Sequence, residues 1–283
     1  METTRITERQ PCRCYRWLYP AGAVIFDLST ILGVPSAKAD TDILDLIFQG
    51  VRIIQLSNLS DEQEIELGQQ INQQILADVR VYDHPSITQY VDSIGQQLVL
   101  GTDRSQIPYT FQVIEDDQVN AFATLGGFVY LNTGLLRVAD NEAQLASVIA
   151  HEIAHVDRRH AIQQLQQAAI AQGLLTAGGL DQNAAIALGV ELALHRPNSR
   201  AHELEADEAG LALLTQTGYA PIAAVDFLQK LLDQSNSTPD FLSTHPHPED
   251  RINALNKQSD PATASAGEGL DEVAYRDRIR ALL

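Results

Sequence analysis

An imidazole, a carboxylate and a second imidazole stand at His151, Glu152 and His155, within the run His151-Glu152-Ile153-Ala154-His155. On an α-helix, residues four apart lie about 40° apart around the axis, so both rings face one point. Zinc takes nitrogen and oxygen ligands presented in this way. Glu152 is turned by about 100° from His151, which sets its carboxylate beside the metal rather than on it. The spacing therefore predicts hydrolysis, with a metal activating water and Glu152 taking its proton. Leu145, Ala146, Val148, Ile149, Ala150, Ile153, Ala154 and Val156 make this helix apolar nearly all round, the pattern of a central buried element. Two histidines and a glutamate in such a helix need a partner to offset desolvation, and a metal is the obvious one.

Zinc needs a third protein ligand. A pattern continuing to Gly at 158 and His at 161 would supply it, but the chain has Arg158 and Ala161. His160 is close in sequence, yet on a continuous helix it lies about 180° from His151. The run from Ala201 to Gly210 is the better source. Its helical periodicity puts Glu203, Ala206, Asp207, Gly210 and Leu214 on one small-residue stripe and Glu205, Glu208 and Thr215 on a polar outer one. Glu203 is then the inward carboxylate. Asp207, one turn on, either accepts the spare N–H of a ligand imidazole or forms a plain salt bridge with Arg158 or Arg200.

These groups must be held by a folded body, and the composition permits one: 45% of the 283 residues are hydrophobic and 20% charged. Ser60 with Gln63 forms a capping-box pattern that opens a helix through about Val79. Helical patterns also cover Asp42 to Ile54 and Ile87 to Leu98. Tyr109–Ile114 and Phe128–Leu131 read as strands separated by a turn at Gly126-Gly127. From Asn141 onward the pattern is almost wholly helical, with breaks at Gly178-Gly179, Pro197, Gly218 and Pro246/Pro248. The expected fold class is α+β and mostly helical, with a small β-sheet.

Residues 1–39 read as an export signal: Arg5, Arg9, Arg13 and Arg16 precede an apolar stretch from Trp17 to Val34, and Ala37-Lys38-Ala39 gives a cleavage site. The competing reading is a membrane anchor, but Pro20, Asp27 and Pro35 interrupt the run. Cleavage removes five basic and three acidic residues and takes the net charge from −18 to −20. Such a charge disfavours nucleic acid and anionic membrane surfaces as partners, and no later stretch is long and apolar enough to span a bilayer. Cys12 and Cys14 both fall in the signal, so residues 40–258, the expected catalytic domain, hold no thiolate ligand. Residues 259–283 read as a Ser, Ala, Gly and Pro-rich linker and a terminal amphipathic segment.

Three ordered motifs, His151 to His155, Ser199 to Gly210 and Thr244-His245-Pro246-His247-Pro248, resemble the HtpX, CAAX prenyl protease and BepA/LoiP superfamily of zinc metallopeptidases. The likeness covers roughly Leu59 to Ala254, including Asn120-Ala121-Phe122-Ala123. It implies a gluzincin-like domain with the sheet beside the helix of His151, and it points to the short, exported, single-domain members. It also implies one zinc ion held by His151, His155 and Glu203, with Glu152 as base and Asp207 behind the ligands. By the same resemblance His245 is a switch or fourth ligand, and Asn120 and Ala121 lie where an extended substrate would add as a strand. His245, His195 and Arg200 remain open as stabilisers of the oxyanion, and the glycine-broken stretch Gly173–Pro197 is expected to cover the site together with the His245 loop. The implied substrates are unfolded or misassembled exported proteins. A different class, a zinc-bound chaperone that grips chains without cutting them, has no need of a base at Glu152.

Overall fold

Ser60 accepts a hydrogen bond from Gln63 N while the Gln63 side chain accepts one from Ser60 N, and this capping box starts the first helix of the body. The computed structural model describes residues 53–175, 179–233 and 239–283. That first helix, α1, is Asp61–Asp78. Leu67, Ile71 and Ile75 are buried along its inner face, each contributing about 1.5–3 kcal/mol of burial. Pro85 opens α2, Pro85–Val99, where its missing N–H costs nothing.

Ahead of α1, Ile53–Ile54 (β1) pairs antiparallel with Leu180–Asp181 (β5). The helix expected over Asp42 to Ile54 therefore fails at its last two residues, where sheet pairing overrides the helical pattern; its earlier part lies outside the described residues.

Three further strands, Thr110–Ile114 (β2), Ala121–Ala123 (β3) and Phe128–Asn132 (β4), form a sheet of order β2-β4-β3. The two expected strands, β2 and β4, are parallel neighbours, and β3 pairs antiparallel with β4. A parallel pair needs a crossover, and the chain between them supplies it together with the unexpected β3. Gly126 and Gly127, with φ of 75° and 90°, make the tight β3–β4 turn that side chains would strain. Gly68 of α1 touches this turn: a Cβ there would fall 2.1 Å from Leu125 O.

Thr133–Val138 (α3) leads into α4, Glu142–Asp157, whose residues from Ala143 to Val156 are all buried. It is the central buried element the apolar pattern predicts. Then come His160–Ala171 (α5), Gln182–His195 (α6), Arg200–Thr217 (α7), Ile222–Asp233 (α8), Asp240–Thr244 (α9), Pro248–Gln258 (α10) and Glu272–Arg278 (α11). Glu203, Ala206, Asp207, Gly210 and Leu214 are buried, whereas Glu205, Glu208 and Thr215 are exposed, so α7 faces inward by its small-residue stripe. Gly210 lets α7 approach α4 closely, because a Cβ there would lie 3.1 Å from His151 N. Residues 259–283 hold on to the body: Ala143 N donates to Gly269 O, and Tyr275, Ile279 and Leu282 are buried in the main core.

Candidate metal centre

α4 delivers His151 and His155 on one face, α7 delivers Glu203 across from them, and the bend after α9 delivers His245. Their ligand atoms all lie within 4.8 Å of one another, and all four residues are buried. His151 Nε2 is 3.0 Å from His155 Nε2 and 3.4 Å from Glu203 Oε2, and His155 Nε2 is 3.4 Å from Glu203 Oε1. His245 Nδ1 lies 3.3 Å from His151 Nε2 and 3.1 Å from Glu203 Oε1. Zinc ligands at about 2.0–2.1 Å in a tetrahedron are separated by about 3.3 Å, so these donors are spaced as the corners of such a site. Lone pairs brought this close repel unless a cation lies among them.

The charges agree. Glu152, Glu203 and Asp207 are buried carboxylates, and Arg251, only 2% exposed, pairs with two of them. Glu203 and Asp207 are held ionised against one guanidinium, with Glu152 beside them, so the cluster attracts further positive charge, which a metal ion would supply. Burial opposes the charge on Glu203, but His245, Arg251 and His151 hold its carboxyl well below the usual range. Burial and Arg251 oppose a charge on His151, yet Glu203 and Asp207 outweigh them and push it up to about 9. Burial drives His155 down to about 3. The site thus holds an ionised carboxylate, an uncharged imidazole and a strong pull on positive charge, which fits a metal ion.

Glu152 sits beside the cluster and not in it. Its Oε1 is buried, accepts no hydrogen bond, and lies 3.4 Å from His245 Nε2. Burial raises the pKa of this carboxyl, the change that brings a general base toward neutral pH.

Peptidase family M48 matches residues 85–259. A β-barrel assembly-enhancing protease of Escherichia coli (strain K12) is 37% identical over 212 residues, covering 69% of this chain and 44% of the relative. The counterpart in Yersinia pestis is 35% identical over 234 residues, covering 76% and 48%. Mitochondrial metalloendopeptidase OMA1 of Schizosaccharomyces pombe is 32% identical over 178 residues, covering 61% and 52%. The chain belongs to peptidase family M48. It spans about half the length of these curated relatives.

Within this M48 domain Asp207 meets a different arginine from those considered in the sequence. His151 Nδ1 approaches Asp207 Oδ1 at 3.0 Å, while Arg251 donates from Nε and Nη2 to the same carboxylate at 2.8 and 2.7 Å. Arg251 Nη1 reaches Glu203 Oε2 at 2.8 Å. Arg158 instead faces Glu205, and Arg200 pairs with Asp250 at the surface. Arg251 was not anticipated; its one signal was that two inward carboxylates on α7 call for a buried cation.

A cleft opens beside Glu152, His155 and His245, lined by Phe122 and Ala123 of β3, by Thr124 and Leu125 of the turn after it, by Leu192 and Ala193 of α6 and by Arg196 just beyond that helix. Among the described residues β3 pairs with β4 on one side only, and its Phe122 and Ala123 line this space. Ala121 begins that strand and its carbonyl accepts from His245 Nε2 at 3.3 Å; Asn120 Oδ1 accepts from Ala121 N and from Thr244 Oγ1. His245 therefore touches the ligand set and the strand edge at once. Of the three candidate oxyanion stabilisers it alone lines the cleft, for His195 and Arg200 are exposed outside it. The covering stretch Gly173–Pro197 contributes α6 as one wall; residues 176–178 within it lie outside the described residues.

Proposed function

We propose that this chain is a zinc-dependent endopeptidase that cuts unfolded or misassembled exported proteins outside the cytoplasm. The observation that carries it is the unpartnered Glu152 Oε1, buried beside three converging ligands from two helices. His151, His155 and Glu203 would hold the ion, and their nitrogen and oxygen donors, with no thiolate, suit zinc. When bound, zinc supplies a Lewis acid that polarises a carbonyl and acidifies water. Glu152 takes a proton from the attacking water and returns one to the leaving amine. Asp207 fixes His151 through Nδ1, with Arg251 keeping that carboxylate ionised.

An extended peptide would join the edge of β3 away from β4 near Asn120 and Ala121, and backbone pairing of this kind reads shape more than sequence. His245 covers the same edge and the fourth corner of the ligand set, which supports its role as a latch that substrate displaces. Export rests on residues 1–39, and no described helix is long and apolar enough to cross a membrane. The names of the Escherichia coli and Yersinia pestis relatives favour unassembled β-barrel proteins as substrates.

Zinc content measured together with cleavage of an unfolded protein tests the reading. About one zinc per chain with cleavage is expected, zinc without cleavage would mark a binding protein, and no zinc would end the proposal. N-terminal sequencing of the exported protein, expected to begin at Asp40, tests the signal.

A further inference from the structure

His155 turns Nε2 to the ligand cluster and Nδ1 away from it, where it meets His160 Nδ1 at 2.9 Å. A metal-ligating Nε2 must carry a lone pair, so the proton of His155 belongs on Nδ1 and is donated to His160. His160 then carries its own proton on Nε2, 3.3 Å from Glu205 Oε2. The chain of contacts runs from ligand to imidazole to carboxylate, and it ends at the surface, since Glu205 is exposed.

The arrangement is built into the fold. On a continuous helix His160 would point away from the metal, but α4 stops at Asp157 and Arg159 takes a left-handed φ of 57°. That break swings the start of α5 back beneath His155. Arg159 is held in place by Leu59 O at 2.6 Å and by Glu64 at 3.1 Å. His160 is 1% exposed, and the ring of His202 from α7 stacks on it at 4.2 Å with an interplanar angle of 9°. His202 is itself tied to Gln163 at 3.2 Å. One face and both nitrogens of His160 are therefore constrained.

We propose that His160 is a positioning residue for the metal centre, fixing the tautomer and ring orientation of His155 and linking that ligand to Glu205. This rests on the zinc reading above. The two ligand imidazoles are then held differently on the side away from the cluster: Nδ1 of His151 leans directly on the carboxylate of Asp207, whereas Nδ1 of His155 reaches a carboxylate only through a second imidazole. His155 is the more weakly anchored of the two, and His160 is what keeps it in register.

The test is zinc affinity, measured by competition with a chromophoric chelator on the full chain, with nitrogen NMR of histidine-labelled zinc protein alongside. His160→Leu removes the acceptor at similar size and should weaken zinc binding about 10–100-fold. His160→Asn places an oxygen close to where Nδ1 stood and should recover most of that loss. Glu205→Ala, at the exposed end, should weaken binding by less and cannot disturb the core. In wild type the spectra should show His155 protonated on Nδ1 and metallated on Nε2, with a slowly exchanging Nδ1 proton that His160→Leu loses. Equal affinity in wild type and His160→Leu overturns the proposal. So does an equal loss in His160→Leu and His160→Asn, which would reduce His160 to packing. If His160→Leu does not fold, the Asn and Glu205 variants and the wild-type spectrum decide. A wild type that binds no zinc would instead sink the zinc reading itself, a separate and recognisable outcome.

Discussion

Arg251 holds two buried carboxylates with one guanidinium, and its removal leaves both without their closest cation. Arg251→Met, similar in length and apolar, should cost the metal-free protein about 3–5 kcal/mol in denaturant unfolding. Added zinc should return part of that, since it binds the same charge. An unchanged midpoint would show that the charge balance drawn for this site is wrong. Glu203 and Glu205 give a sharper comparison, because they are two residues apart on α7 and face opposite ways. Under saturating zinc, Glu203→Ala should lose most of its metal and Glu205→Ala should keep it, read by elemental analysis. Equal contents would remove Glu203 from the ligand set.

Helix packing sets the ligand geometry, and at Gly210 α7 lies close against the α4 backbone at Ala150 and His151. Gly210→Val should push the helices apart, costing about 1–3 kcal/mol and weakening zinc binding by moving Glu203 away from His151. Unfolding and chelator competition on one preparation check both; a loss of stability with unchanged zinc affinity would mean the ligands do not depend on this approach. The helices were legible in the sequence because their cues are local: a capping box at Ser60, an apolar run through α4, a small-residue stripe on α7. What escaped depends on distant partners. β3 is three residues long and exists by pairing with β4. His160 was read on a continuous helix, and the left-handed turn at Arg159 that relocates it is stabilised by Leu59 and Glu64, about a hundred residues earlier. Residues 270–283 read as an amphipathic segment, but what its apolar side meets lies far off in the chain: Tyr275 donates to Leu136 O at 2.6 Å and is buried.

At the scale of the molecule the centre lies at the meeting of β3, α4, α7 and the His245 bend, with α6 as the outer wall of the cleft. The bend is fastened from several sides: Asn198 N donates to Thr244 O at 2.9 Å, Arg251 Nη1 to His245 O at 3.3 Å, and Phe241 stacks on the His245 ring at 4.5 Å. If His245 is the latch proposed above, a bend so held should open only when a substrate supplies compensating contacts. His245→Ala, compared at equal zinc occupancy, should therefore raise turnover of a short flexible peptide. A large fall would assign His245 to the oxyanion instead and remove the latch.

The central claim is that a metal held by His151, His155 and Glu203 works with Glu152 as its base. The most direct measurement is the zinc content and cleavage rate of Glu152→Gln beside wild type, in matched preparations on one unfolded protein substrate. The account predicts equal zinc, an unchanged fold and a loss of cleavage by several orders of magnitude, because only the base is removed. Cleavage within about tenfold of wild type, an effect of only about 1.4 kcal/mol on the barrier, would contradict it.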